Sequence, residues 1–245
     1  LHVALGDNEL RRDLMNHARY FLPHLLTLST SSPFREGEDT GLKCCRLAAY
    51  RELPRTGMPG RFDSWDEYRR NVDVLIGAGI IEDATKIWWD IRPSDRYPTL
   101  EMRVTDVCTQ IEDAVAVAAL YVCVLRMLWR LRRSNQRWRQ YPVFLLEENR
   151  WRAMRYGVGG TLFDLGKGTL EPFPALLDEI LELVEEDATA LECTAEIART
   201  RDIVRRGTSA DRQVAAYEAA LANGASKSEA LKQVVDHLVV ETRGD

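Results

Sequence analysis

Apolar residues recur at helical spacing from Asn8 to Leu28, at Leu10, Leu14, Tyr20, Phe21, Leu25 and Leu28, which predicts one helix kinked or divided by Pro23. The periodicity is then lost. Ser29 to Phe62 holds Ser-Thr-Ser-Ser-Pro, Gly37, Gly41, Pro54, Gly57, Pro59 and Gly60, a long run of turn chemistry. Loops this long in a compact domain are usually functional or disordered, and the interspersed aromatics and aliphatics favour an ordered, functional one. Ser64-Trp65-Asp66-Glu67 fits a capping box that opens a helix running to about Gly77. Lys86 to Arg92 and Thr99 to Asp106 are rich in β-branched and aromatic residues and flank a Pro-Ser-Asp-Arg-Tyr-Pro turn, which predicts a hairpin. Gln110 to Leu131 is apolar on almost every side and should be a core helix without a solvent face. Phe144 to Tyr156 is another helix, closed by Gly157, and Thr161 to Phe173 a second hairpin turning at Gly166-Lys167-Gly168. The remainder is helical: Ala175 to Glu186, Ala190 to Arg206, Ala210 to Leu221 and Ser226 to Thr242, with Ser226 or Ser228 capping the last.

Composition narrows the class. With 245 residues, 45% of them hydrophobic and 29% charged, the chain is a globular protein with a large core, not a disordered or fibrous one. The formal charge of -5 gives no global attraction to nucleic acid or anionic membrane, so neither is an expected partner. The apolar run Ala114 to Leu125 is shorter than the roughly 20 residues that cross a bilayer, and Arg126 follows it directly. The 5 cysteines, Cys44, Cys45, Cys108, Cys123 and Cys193, are odd in number and lack C-x-x-C spacing, which points to reduced thiols and a cytoplasmic location. The opening Leu1 to Gly6 reads as a strand entered midway, so a preceding segment is expected.

Candidate chemistry lies in the first hairpin, because residues two apart in a strand share a face. Asp90 and Arg92 lie on one face of their strand, and Glu101 and Arg103 on one face of the next, opposite Leu100, Met102 and Val104. If both polar faces point the same way, they form a plate of two carboxylates and two guanidiniums, suited to a metal nucleotide and phosphoryl transfer. A solvated sheet face laced with cross-strand ion pairs has the same pattern. Other groups have plain structural readings beside functional ones. His17, His24 and His237 lie on predicted helices without a second ligand at metal spacing. Cys44-Cys45 has no activating histidine nearby. Arg126 to Arg139 carries six arginines with Trp129 and Trp138, either a nucleic-acid patch or the solvated basic end of a helix. Asn149, Arg150 and Arg152 form a helix face.

The succession Ser31-Ser32-Pro33-Phe34, Gly37 to Gly41, Arg46, Pro54-Arg55-Thr56-Gly57-Met58-Pro59, Trp88 to Ser94, Thr99 to Asp106 and Asn149 to Gly157 resembles, in order, the carboxylate-amine ligase family, also called glutamate-cysteine ligase type 2. Leu1 to Gly6 is similar to that family's His-Val-His-Val-Gly strand, with His2 at its first histidine and Ala4 in place of the second. The resemblance implies an α+β fold like the catalytic domain of glutamine synthetase: a curved antiparallel sheet forming a funnel, helices outside it, and a helical C-terminal region. It implies one catalytic domain over 1–245, sheet-containing over 1–173 and helical over 174–245, without the family's N-terminal Gly-x-Glu-x-Glu strand. The implied reaction uses ATP to phosphorylate the γ-carboxylate of glutamate, and an amine, typically that of cysteine, displaces phosphate. By this resemblance Glu101 and His2 bind Mg²⁺, Arg103 and Arg92 hold phosphate or carboxylate, and Asn149 and Arg150 reach the nucleotide. Glu101 and Asp90 alone cannot build a two- or three-metal site, so a separate N-terminal segment is expected to complete it. The rivals are a pseudoenzyme that keeps the fold and a nucleic-acid module on the 126–139 patch. Sheet edges that need covering suggest a homodimer.

Overall fold

The computed structural model describes residues 1–244. In chain order the elements are β1 His2–Ala4, α1 Asn8–Ala18, α2 Leu22–Ser29, β2 Phe34–Arg35, β3 Glu38–Asp39, α3 Arg46–Tyr50, β4 Thr56–Gly57, α4 Trp65–Gly77, β5 Trp88–Trp89, β6 Ile91–Pro93 and β7 Thr99–Met102. There follow α5 Ile111–Arg133, α6 Val143–Tyr156, β8 Thr161–Asp164, β9 Thr169–Pro172, α7 Phe173–Leu183, α8 Glu185–Ala190, α9 Thr194–Ala198, α10 Thr200–Arg206, α11 Ser209–Ala222 and α12 Lys227–Arg243. The class is α+β, as expected. Its main sheet is a three-stranded antiparallel one, ordered β1-β7-β6, and the other strands pair in twos.

Local chemistry explains most element ends. Pro23 divides the first helical stretch: it sits in the first turn of α2, where a missing N–H costs nothing, and α1 stops at Ala18. Ser64 caps α4 by accepting from Glu67 N at 3.0 Å, while the Glu67 carboxylate reaches back to Asp63 N instead of closing the box on Ser64. Ser226 and Glu229 form a full capping box on α12. Gly157 ends α6 at φ +58°.

Three expectations change. The stretch Lys86 to Arg92 is two strands: β5 pairs parallel with β4, and β6 pairs antiparallel with β7. Asp90 is the junction, donating its N–H to Gly57 O at 2.8 Å and accepting from both Arg103 N and Val104 N at 2.7 and 3.1 Å. Arg103 and Val104 together oppose Asp90, a β-bulge at the end of the β6–β7 pairing. The expected helix from Ala190 to Arg206 is divided, because the chain reverses at Leu191 to Cys193 with Glu192 at φ +54°. The apolar helix α5 is, by length and composition, long enough to cross a bilayer, contrary to the expectation from Ala114 to Leu125; half of that stretch is buried inside this fold. Its first turns also have a solvent face, with Ile111 and Val115 exposed, whereas Val117, Leu120, Val124 and Leu128 are buried. Each such burial contributes roughly 1.5–3 kcal/mol.

The apolar side of the main sheet, Ile91, Leu100, Met102 and Val104, joins one core with α1, α2 and α5. Its other side carries the charged residues. A second small core, Tyr217, Ala220, Ala230 and Val234, holds α11 against α12, and Phe34 packs on it.

Candidate active site

The registers of the three strands place His2 directly opposite Glu101 on one side and Arg92 directly opposite it on the other. Opposed residues share a face, so the three form a row across the sheet. The alternation within β7 adds Arg103 beside Glu101. Arg92 Nε donates to Glu101 Oε2 at 2.8 Å, Arg103 Nη1 donates to Oε1 at 2.8 Å, and His2 Nε2 stands 3.7 Å from Oε1. Burial by itself would raise the Glu101 carboxyl; hydrogen bonds and charge from the two arginines outweigh it and hold the group below its ordinary value. Glu101 is therefore a carboxylate locked between two guanidiniums.

The two arginines differ in what they have left over. Arg92 Nη1 is tied to the carbonyls of Thr85, at 2.9 Å, and of Ile87, so it braces the sheet against the turn before β5. Arg103 has only its Glu101 bond, and its Nε and Nη2 are without protein partners among the described residues. A part-exposed guanidinium with one edge fixed and the other open is placed to receive an oxyanion.

The structure separates the other expected residues from this row. Asp90 does not complete a plate with Glu101; it is buried against Arg150, with Arg150 Nε to Oδ2 at 2.5 Å and Nη2 to Oδ1 at 3.2 Å. Arg150 is 2% exposed and its charge is paired with Asp90. Asn149 is also taken up structurally: its amide donates to Phe163 O at 2.8 Å and accepts from Phe163 N at 2.6 Å, extending β8 as a strand would. Glu101 and His2 do not by themselves form a Mg²⁺ site. Both Glu101 oxygens accept from arginines, and among the described residues no three His, Cys, Asp or Glu side chains converge.

One element of the site had no signal in residue spacing. Arg46, on α3, donates through Nε to Asp106 at 2.6 Å and through Nη2 to the carbonyls of Val104 and Thr105 at 2.8 and 2.9 Å. Asp106 in turn accepts from Ser31 N and Ser32 Oγ at 3.0 and 2.8 Å. This clamp fixes the chain just beyond Arg103 to the Ser-rich loop. The remaining candidates are structural. His17 bonds Asp13 O at 2.8 Å, His24 is buried, and burial pushes the Cys44 thiol up to about 12, which rules out an activated nucleophile there. In the basic segment, Arg126 and Arg130 both turn inward to the wholly buried Asp187.

Comparison with known proteins concerns the chain as a whole. Residues 1–237 match the family described as glutamate-cysteine ligase family 2. The chain is 56% identical over 242 residues to a Rhodospirillum rubrum protein named "Putative glutamate--cysteine ligase 2", covering 99% of this chain and 62% of that protein. It is 51% identical over 244 residues to a protein of the same name from a Jannaschia species, covering 100% of this chain and 64% of the relative. The chain thus spans less than two thirds of the length of these relatives. Among solved structures, a glutamate-cysteine ligase from Francisella tularensis in complex with AMP shares the fold, with a TM-score of 0.60 at 13% identity, covering 96% of this chain and 59% of that one.

Proposed function

The chain belongs to glutamate-cysteine ligase family 2, and from that premise we propose that its charged sheet face serves an ATP-dependent carboxylate-amine ligase, with glutamate as the acid and cysteine as the amine. The observation that carries this reading is the row His2, Glu101, Arg92 with Arg103 beside it, set on a rigid sheet whose other face is core. A carboxylate is a poor electrophile toward an amine, and phosphorylation by ATP supplies a leaving group. What this chain contributes is electrostatic. Arg103 offers its free edge to a phosphoryl or carboxylate oxygen, and Glu101 and Arg92 hold that guanidinium in place. The crystallised Francisella ligase was solved with AMP, which supports a nucleotide as one reactant. Among the described residues no cluster of three carboxylate, histidine or cysteine side chains is set to hold Mg²⁺. The protein works as a soluble biosynthetic enzyme in the cytoplasm on this reading.

The test is ADP release from ATP in the presence of Mg²⁺ and L-glutamate, with and without L-cysteine, by this chain and by a form extended to the length of its relatives. Cysteine-dependent ADP release that disappears in Glu101→Ala supports the ligase. ATP binding without turnover in either form, across a panel of acids and amines, transfers the reading to a pseudoenzyme.

A further inference from the structure

A cavity of about 850 Å³ opens between α2, the connection after α5, the β8–β9 turn and α7. None of its lining residues bonds to Glu101, Arg92 or Arg103, so it is distinct from the charged sheet face. Its volume is that of a small-molecule site.

Aromatic rings form the inner wall. Trp138 packs 5.6 Å from Tyr20, centroid to centroid, and Tyr20 packs 5.4 Å from His24. This wall holds an unsatisfied polar atom: the buried Trp138 Nε1 has no hydrogen-bond partner among the described residues. A native fold leaves few such groups, and each costs about 1–3 kcal/mol unless something bonds it.

The rim carries charges of both signs. Arg137 and Arg139 line one side, and neither has a carboxylate within 4.0 Å among the described residues. Arg139 lies over Gly166 so closely that a Cβ there would collide with its guanidinium. On the α7 side Lys167 is shared between Asp164, at 3.3 Å, and Glu179, whereas Glu182 has no cationic partner among the described residues. Two guanidiniums and a carboxylate without charged partners among the described residues thus line the same cavity as the aromatic rings.

We propose that this cavity binds a small planar aromatic molecule carrying both an acid group and an amine. The ring lies against Tyr20 and Trp138, Arg137 and Arg139 take the acid, and Glu182 takes the amine. Guanidiniums bind phosphate and carboxylate alike, and the amine is the neutral exocyclic amino group of an adenine nucleoside monophosphate or the ammonium of an aromatic amino acid.

Calorimetric titration of this chain with AMP and with L-tryptophan, beside adenosine and sodium phosphate, tests the proposal. One of the first two should bind with Kd below about 1 mM, and the preferred one identifies whether phosphate or carboxylate is read. In R137Q/R139Q that affinity should fall at least about tenfold. Both arginines are exposed and unpartnered, so the variant keeps the parent's unfolding midpoint. Gly166→Ala, which displaces Arg139 without changing charge, should weaken binding in the same direction. Binding of neither molecule at up to about 10 mM overturns the proposal. So does affinity that survives R137Q/R139Q.

Discussion

Arg150 and Asp90 form a two-point ion pair, 2.5 and 3.2 Å, between α6 and the junction of β5 with β6, and both side chains are almost completely withdrawn from water. Burial opposes the guanidinium's charge, and the Asp90 carboxylate more than offsets it, so Arg150 stays ionised. The pair fastens a helix to the residue where the two sheets meet, and it stands behind the charged row without belonging to it. Removing one partner leaves a buried charge alone. Asp90→Ala should therefore cost about 3–5 kcal/mol of stability, read as a lower urea midpoint. The double variant D90N/R150M leaves no orphan charge and should cost less than the two single changes added together; strict additivity would refute the coupling.

Arg103 and Arg92 should part company under mutation. Arg103→Gln removes a guanidinium with one protein bond and a free edge, so ADP release should fall about 100-fold while stability changes by less than about 1 kcal/mol. Arg92→Gln also releases the carbonyls of Thr85 and Ile87, and its unfolding midpoint should drop along with activity. Equal loss of stability in both variants would mean that Arg103 is only a structural ion-pair partner.

Acid should destabilise the fold through His24. Burial pulls its pKa from 6.5 down to about 4. Above pH 6.5 it is neutral folded or unfolded and contributes no pH dependence. As pH falls below 6.5 the unfolded chain takes up a proton that the folded chain refuses until about 4, so stability is lost across that window. At pH 5 the loss is about 2 kcal/mol. His24→Phe keeps the ring among Tyr20, Phe21 and Phe173 and should flatten this part of the stability profile. An unchanged profile between pH 7 and 5 would rule His24 out as the source.

Gly157 closes α6 with φ +58° and ψ -150°, a region that only glycine enters freely, and a Cβ there would meet Lys43 Cγ at 3.1 Å. The same corner is tied by Lys43 N and Cys44 N, which both donate to Met154 O, at 2.7 and 3.1 Å. Gly157→Ala should cost about 1–3 kcal/mol, and hydrogen exchange should quicken first at Lys43 and Cys44. Exchange that quickens elsewhere while these two stay protected would show that the corner is not the weak point.

Features that depend on neighbours in the chain were legible in the residues. Ser64 before Trp65-Asp66-Glu67, Pro23 after the first helical turns, Gly157 after Tyr156 and Ser226 three residues before Glu229 mark element ends because caps and breakers act within one helical turn. Strand alternation likewise put Glu101 and Arg103 together on one face. The family resemblance rests on blocks of residues read in order, and the α+β class was what that resemblance implied.

What only the tertiary structure decided is which charge meets which. Sequence spacing placed Asp90 with Arg92, whereas the fold pairs it with Arg150, 60 residues away. Asn149 pairs with Phe163, Arg126 and Arg130 converge on Asp187, and Arg46 finds Asp106 across the Ser-rich loop. The physical reason is range. Backbone geometry and capping act over three or four residues and leave a periodic trace, whereas an ion pair is fixed by the path of the whole chain, and the same arginine can face solvent, substrate or a buried carboxylate without any change in its own neighbourhood.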